Sequence, residues 1–245
     1  MLFLVNHEAA VERRERMLRQ FAAASLEAHR VGIDLQRHPQ NELRDELAQR
    51  FPRLQFDFRR LGGAELGGWA SHLTVWMRLL DSSEPAATVI EDDVLLSDAF
   101  RKAIEALNAS SPLDVVYLGA TTRRNAGRRP QAPGELTVHA ATGSMLSSRA
   151  YTIRRDYVER FFAHCRKPID VPINHFLSGR ARWARPSIGV LRPSVIWEDL
   201  RLSRQSEPGR QRQWWGRSSF RHWTLGRRLA GRGDRLLYES VFKLL

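Results

Sequence analysis

Apolar and polar positions fall into blocks whose period changes along the chain. Leu2-Phe3-Leu4-Val5 is a short apolar run ending at Asn6, as expected of a buried strand. From Glu8 to Glu27, Val11, Leu18, Phe21, Ala22 and Ser25 recur at helical spacing with a charged face opposite. Arg30–Leu35 reads as a second strand, Asn41–Arg50 as a short helix, and Leu61-Gly62-Gly63 as a breaker. The strongest periodicity follows, in Leu66, Trp69, Ala70, Leu73, Trp76, Met77 and Leu80, and predicts an amphipathic helix closed by Asp81 to Pro85. Ala86–Ile90 reads as a buried strand running into Glu91-Asp92-Asp93. Ser97 is placed to cap a helix that buries Phe100, Ala103, Ile104 and Leu107. Asp114–Leu118 is a further strand, stopped by Gly119. Thr121–Gly134 reads as a basic loop, and Glu135–Ala140 and Ser144–Ser147 as strands around Thr142-Gly143. Ala150, Ile153, Tyr157 and Phe161 mark a helix ending near His164. This alternation predicts an α/β sheet with helices on both faces.

The 245 residues suit one large domain or a domain with an appendage. Charge places the appendage. The formal net charge is +12, and 36 of the 39 basic residues are arginines. Residues 201–245 hold 11 basic and 3 acidic side chains, a net of +8, so the first 200 residues carry only +4. We therefore expect a body over residues 1–200 and a basic tail over 201–245. The tail interleaves arginines with Trp214, Trp215, Phe220 and Trp223, which suits an anionic bilayer surface or, as a rival, nucleic acid. Against nucleic acid, no binding motif is present and the acidic triplet would repel phosphates unless a cation intervened. No apolar run approaches the ~18 residues of a membrane span. The apolar start at Met1–Asn6 is too short for an export signal, and Cys165 is the sole cysteine. The expected compartment is the reducing cytoplasm, with peripheral attachment to the inner face of its membrane.

Glu91-Asp92-Asp93 is the sharpest candidate for chemistry. An apolar strand delivers three carboxylates to its C-terminal end, the edge where open α/β sheets bind ligands. Strand alternation puts Glu91 and Asp93 on one face and Asp92 on the other. Adjacent like charges need compensation, and Mg²⁺ or Mn²⁺ suits carboxylate oxygens and can hold a diphosphate. The bland alternative is a solvated acidic turn. His72 lies on the edge of the apolar stripe with Glu65 seven residues earlier, a placement that fits ligand contact or a satisfied boundary histidine. Gly67-Gly68, read as the helix start, would leave backbone N–H groups open to an anion. Ser71 and His72 are helix neighbours and project apart, which argues against a Ser–His–acid hydrolase. Asn6 ends the first strand and Arg13, a phosphate-recognising residue type, follows in the helix. Thr142-Gly143 fits a close backbone approach to a ligand, or a bulge. Asp170 fits a general base or a helix cap.

The run from Leu61 to His72 (LGGAELGGWASH), then Trp76, then Val89-Ile90-Glu91-Asp92-Asp93-Val94, resembles glycosyltransferase family 25, which includes bacterial lipopolysaccharide galactosyltransferases. Asn6, Arg13, Asp114–Gly119, Thr142-Gly143 to Ser147 and Pro168-Ile169-Asp170 resemble further family segments in order, over about residues 2–200. Gly68 stands where the family has cysteine, Ala64 where it has glycine, and the segment after Thr142 lacks the usual aromatic. The resemblance implies a GT-A-like (Rossmann-like) nucleotide-sugar-binding sheet flanked by helices. It implies metal-assisted, inverting transfer of a hexose, galactose first, from a UDP-sugar to a hydroxyl of a glycan or glycolipid acceptor. On that footing Glu91, Asp92 and Asp93 are expected to hold Mn²⁺ or Mg²⁺. Asn6, Arg13, Glu65, Gly67, Ser71, His72, Glu91 and Asp92 are expected to bind the donor. Asp170 is the expected general base beside the catalytic Asp93, with Glu198-Asp199 as fallback.

Overall fold

The computed structural model describes residues 1–32, 40–119, 135–141, 148–177 and 186–199, and the backbone of 238–243. The expected loop 121–134, the segment Thr142–Ser147 and tail residues 201–237 lie outside the described residues.

The core is an eight-stranded mixed sheet in the order β10-β6-β8-β5-β7-β3-β1-β2. Its strands are β1 (Leu2–Val5), β2 (His29–Val31), β3 (Ala86–Glu91), β5 (Val115–Tyr117), β6 (Thr137–Ala141), β7 (Ala150–Arg154), β8 (Ile188–Arg192) and β10 (Tyr238–Lys243). β1 pairs in parallel with β2 and β3, and β5 with β8, while β7 runs antiparallel between β3 and β5. β10 comes from within the basic segment and pairs antiparallel with β6. β4 (Val94–Leu96) and β9 (Ile196–Glu198) form a separate two-stranded ribbon.

Strand alternation sorts side chains into two cores. Leu2 and Leu4 face α1 (Val11–Ala23) and α4 (Phe100–Ser110), packing with Met17, Phe21, Phe100 and Ile104. Phe3 points the other way, into the layer of α2 (Gln40–Arg50), α3 (Gly63–Leu80) and α5 (Arg155–His164). On that side Trp69 and Trp76 of α3 pack edge to face with each other, Trp69 with Phe176 and Trp76 with Phe161. Each such pair adds about 0.5–1.5 kcal/mol beyond area burial. Arg155 closes the C-terminal end of α3, donating to the carbonyls of Leu79 and Leu80 in its last turn and of Ser82 just beyond it.

Several expectations change. The helix expected from Ala150 is a strand, β7, followed by α5. Ala150, Ile153, Tyr157 and Phe161 fit a helical period, but β7 is buried on both faces between β3 and β5, so it shows no alternation. α3 begins at Gly63, inside the expected breaker, because Gly62 serves as its N-cap and the Glu65 carboxylate accepts the Gly62 N–H at 2.6 Å. Ser97 does not cap α4 with its side chain; its carbonyl accepts the Phe100 N–H at 3.0 Å. β5 is shorter than the expected Asp114–Leu118 and ends at Tyr117, two residues before Gly119, where any side chain would collide with Ser194 and the Ile196 carbonyl.

Candidate active site

β1 and β3 are parallel with Val5 opposite Glu91, so Asn6 and the acidic triplet emerge at the same sheet edge. The chain then turns through Asp92-Asp93 into β4. Pairing of β4 with β9 sets Val94 opposite Glu198, and the Asp199 N–H donates to the Asp93 carbonyl at 2.8 Å. Five carboxylates thus meet here: Glu91, Asp92, Asp93, Glu198 and Asp199.

Each carboxylate has a different escort. The Asn6 amide donates to Asp92 Oδ2 at 2.6 Å, and Arg13 meets Oδ1 at 3.1 Å. Arg16, one turn further along α1, pairs with Asp199. Burial holds the Asp92 carboxyl above its usual range despite Arg13 and Asn6. Arg149 donates through Nε to Asp93 Oδ2 and through an Nη to Glu198 Oε1, both at 2.9 Å. Burial first, then the charge of Glu91, push Asp93 up to about 6 against the pull of Arg149. Glu91 takes the opposite course. Burial alone would raise it, but the contact with His72 and the Ser148 hydroxyl, which donates at 2.5 Å, bring its carboxyl below the usual range.

These escorts divide the triplet as strand alternation requires. Asp92 is held on the α1 side, while Glu91 turns to α3 and Asp93 to Arg149. A three-carboxylate cage is not what they build: among the described residues no group of three His, Cys, Asp or Glu side chains is set to hold a metal. One atom does fit a cation. Asp93 Oδ1 is buried and has no hydrogen-bond partner among the described residues. Mg²⁺ and Mn²⁺ sites that serve phosphates commonly use one or two carboxylates and complete their shell from substrate and water.

The α3 residues are placed differently from expectation. The helix starts four residues before Gly67, so the Gly67 and Gly68 N–H groups lie within it rather than open at its start; the free turn is Gly63–Glu65. The Ser71 hydroxyl is buried and donates back to the Gly67 carbonyl at 3.0 Å. His72 is buried behind Glu91, with Nε2 3.8 Å from Oε1. Glu65 is occupied in capping. The remaining candidate, Asp170, is half exposed and accepts from Arg60 at 2.6 Å. It adjoins Val171, whose carbonyl takes the Trp69 indole N–H one turn before His72. Five residues separate the end of α3 from the start of β3, and its His72 abuts the far end of β3. Its first nine residues, ~13 Å of helix, therefore project past the sheet edge toward Asp170.

Arg149, Arg16, Ser148 and Tyr151 belong to this site and sequence reasoning did not single them out. Arg16 sits three residues after Arg13 and merges with a charged helix face. Arg149 and Ser148 precede a strand that resembles a helix, which conceals that they stand at the same sheet edge as Glu91; the Glu91 N–H donates to the Arg149 carbonyl at 2.7 Å.

The family model for glycosyltransferase family 25, described as an LPS biosynthesis protein, matches residues 1–177. A "Glycosyltransferase 25 family member" of Drosophila melanogaster is 24% identical over 185 residues, covering 72% of this chain and 30% of that one. "Procollagen galactosyltransferase 2" of Homo sapiens is 28% identical over 126 residues, covering 48% of this chain and 20% of that one. The chain thus spans less than a third of the length of either relative. The inositol-1-phosphate CTP transferase of T. maritima covers 80% of this chain and 68% of its own at 8% identity and a TM-score of 0.35, so the kinship rests on sequence.

Proposed function

Since the chain belongs to glycosyltransferase family 25, we propose that it moves a hexose, galactose first, from a UDP-sugar to a hydroxyl of a lipopolysaccharide-type glycan, with inversion, on a GT-A-like sheet. The observation that carries this reading is the buried, half-satisfied Asp93 at the C-terminal edge of β3. A nucleotide diphosphate is the ligand class such an edge takes with the help of a cation.

In this reading the acceptor oxygen forms a bond to the anomeric carbon as the bond from that carbon to the diphosphate breaks. The electron pair leaves with UDP and the acceptor proton passes to a carboxylate. Asp93 Oδ1, beside Asp92, would hold Mn²⁺ or Mg²⁺, which when bound would supply charge neutralisation for the departing diphosphate. Asn6 and Arg13 fix Asp92 so that the turn is formed before the donor arrives. Arg149 keeps Asp93 and Glu198 from repelling one another. Asp170 takes the acceptor proton: it is accessible, one oxygen is anchored by Arg60, and it lies where α3 overhangs the edge. Asp199 is less suited to that task because it is buried against Arg16.

The acceptor is glycolipid in this reading. Net charge +8 and interleaved tryptophans in residues 201–245 support attachment to an anionic membrane surface at the cytoplasmic face. Among the described residues no helix is long and apolar enough to cross a membrane.

The test is hydrolysis and transfer across a panel of UDP-sugars with Mn²⁺, with Mg²⁺ and with EDTA. UDP-galactose turnover that EDTA abolishes and Mn²⁺ restores is expected. Turnover of no UDP-sugar overturns the reading, and full turnover in EDTA removes the metal from it.

A further inference from the structure

Three polar groups lie in the apolar layer between α3 and the sheet. The Trp76 indole, the Tyr151 phenol and the His72 imidazole are each 1% exposed or less. Burying such groups is costly unless each is hydrogen-bonded, so their connection carries information. Trp76 Nε1 is 3.3 Å from Tyr151 Oη, and Oη is 2.6 Å from His72 Nδ1. The far ring nitrogen, Nε2, faces Glu91 Oε1 at 3.8 Å, an electrostatic approach longer than a hydrogen bond. Trp76 and His72 are four residues apart on α3, so both meet the same strand residue. The imidazole also stacks on the phenol, with ring centroids 5.6 Å apart and planes 18° from parallel.

Chemistry fixes the direction of this chain. An indole N–H only donates, so Tyr151 Oη accepts from Trp76. The phenol retains one proton, since burial holds its pKa well above the usual range. Among the described residues its one remaining partner is His72 Nδ1. Nδ1 is then the acceptor, and the ring proton sits on Nε2, facing Glu91. The opposite tautomer would aim two donors at Oη and leave the phenol proton buried without an acceptor, a loss of about 1–3 kcal/mol.

We infer that Trp76, Tyr151 and His72 form a one-way hydrogen-bond relay that positions Glu91 to accept a hydroxyl of the bound sugar. Glu91 is where the relay reaches solvent: its side chain is 28% exposed, against 1% for His72. Ser148 and His72 both address Oε1, and Oε2 has no partner among the described residues. Held in this way, Glu91 presents an acceptor only, which selects a ligand rich in hydroxyl donors. Tyr151 and Trp76 are positioning residues, acting on the ligand through His72. The ligand part of the inference rests on the proposed sugar-nucleotide reading; the relay itself does not.

The experiment has two arms on the full chain. In the first, ¹⁵N-histidine labelling and long-range ¹H–¹⁵N correlation identify the His72 tautomer, with His72→Gln assigning the signals. A proton on Nε2 and a bare Nδ1 are expected in the wild type, and Tyr151→Phe should erase that single-tautomer signature. An Nδ1-protonated ring in the wild type overturns the relay, whatever UDP-sugars do. In the second, Tyr151→Phe should raise the KM for the donor about tenfold, the equivalent of one hydrogen bond, with a smaller change in kcat. Trp76→Phe should do the same more weakly. A donor KM unchanged in Tyr151→Phe alongside the expected tautomer overturns the positioning role. If Tyr151→Phe does not fold, the wild-type tautomer and Trp76→Phe still decide.

Discussion

Asp93 and Arg149 form a lopsided pair. Arg149 Nε donates to Asp93 Oδ2 at 2.9 Å, while Oδ1 of the same carboxylate is buried with no hydrogen-bond partner among the described residues. One guanidinium also spans to Glu198, so its charge is divided between two acids. The buried carboxylate is left under-compensated, which is the condition in which an added cation gains most.

Replacing that carboxylate separates stability from function. Asp93 titrates at about 6 in the folded chain against an ordinary 3.8. The folded state therefore binds the proton more tightly than the unfolded state. This group's contribution to stability is fully present below about pH 4 and is lost as pH rises through about 6. Two units correspond to an upper bound of about 3 kcal/mol. Asp93→Asn should thus be as stable as wild type or more so at pH 7.5, with the difference shrinking toward pH 5, while turnover falls by orders of magnitude. Urea melts at both pH values check the first part. Mn²⁺ should raise the melting temperature of the wild type and not of the variant.

Arg149→Gln should have the reverse signature. It leaves Asp93 and Glu198 without their shared cation, in a site where the arginine side chain is 27% exposed. A loss of about 2–3 kcal/mol at pH 7.5 is expected, since removing one member of a largely buried pair strands the other. Acidification or saturating Mn²⁺ should recover part of it. Chemical denaturation with and without Mn²⁺ measures this, and a variant equal to wild type in both would show that Arg149 is an ordinary surface arginine.

Gly68→Ala should stabilise the fold. Gly68 lies inside α3, and an added Cβ would meet only Ile173 Cγ2, at 3.7 Å, an ordinary contact. Alanine is favoured over glycine in a helix interior by about 1 kcal/mol. Thermal unfolding should show a rise of a few degrees with activity retained. A fall would mean that the surroundings of Gly68 need the open space.

The fold's periodic parts were legible in the sequence. α3 and β3 announce themselves because one has a buried stripe and the other a fully apolar run, and together they bring the acidic triplet to a sheet edge. Asn6 and Arg13 were legible too, since a strand end and the helix after it share that edge. What stayed hidden depends on pairing across the chain. β4 and β9 are three residues each, too short to show a period, yet they alone bring Glu198 and Asp199 beside Asp93. Trp76 reads as core because it is core, and Tyr151 lies in the stretch whose spacing suggests a helix; that their polar ends form a line toward Glu91 follows only from the β3–β7 register, where Val89 lies opposite Tyr151. Glu65 and Ser71 read as ligand contacts, and the short-range hydrogen bonds each also makes at α3, to the Gly62 N–H and the Gly67 carbonyl, were not visible in their spacing.

The base is the remaining assignment, and a substitution that preserves shape tests it. Asp170→Asn keeps the size of the side chain and an oxygen for Arg60, which holds the aspartate at 2.6 Å, but it cannot accept a proton at neutral pH. A base acts on the acceptor and not on the donor. Transfer to a soluble glycan acceptor should therefore fall by about 10²-fold or more, in line with the usual worth of general base catalysis. UDP binding by calorimetry should stay within about twofold. The pair with Arg60 is half exposed, so its loss should change stability by less than about 1 kcal/mol and leave the melting temperature nearly fixed. Glu198→Gln is the comparison, because it lies beside Asp93 and Arg149 and should disturb donor binding and transfer together. If Asp170→Asn retains transfer while Glu198→Gln loses it with UDP binding intact, the proton goes to Glu198 and the overhang of α3 serves only to cover the donor.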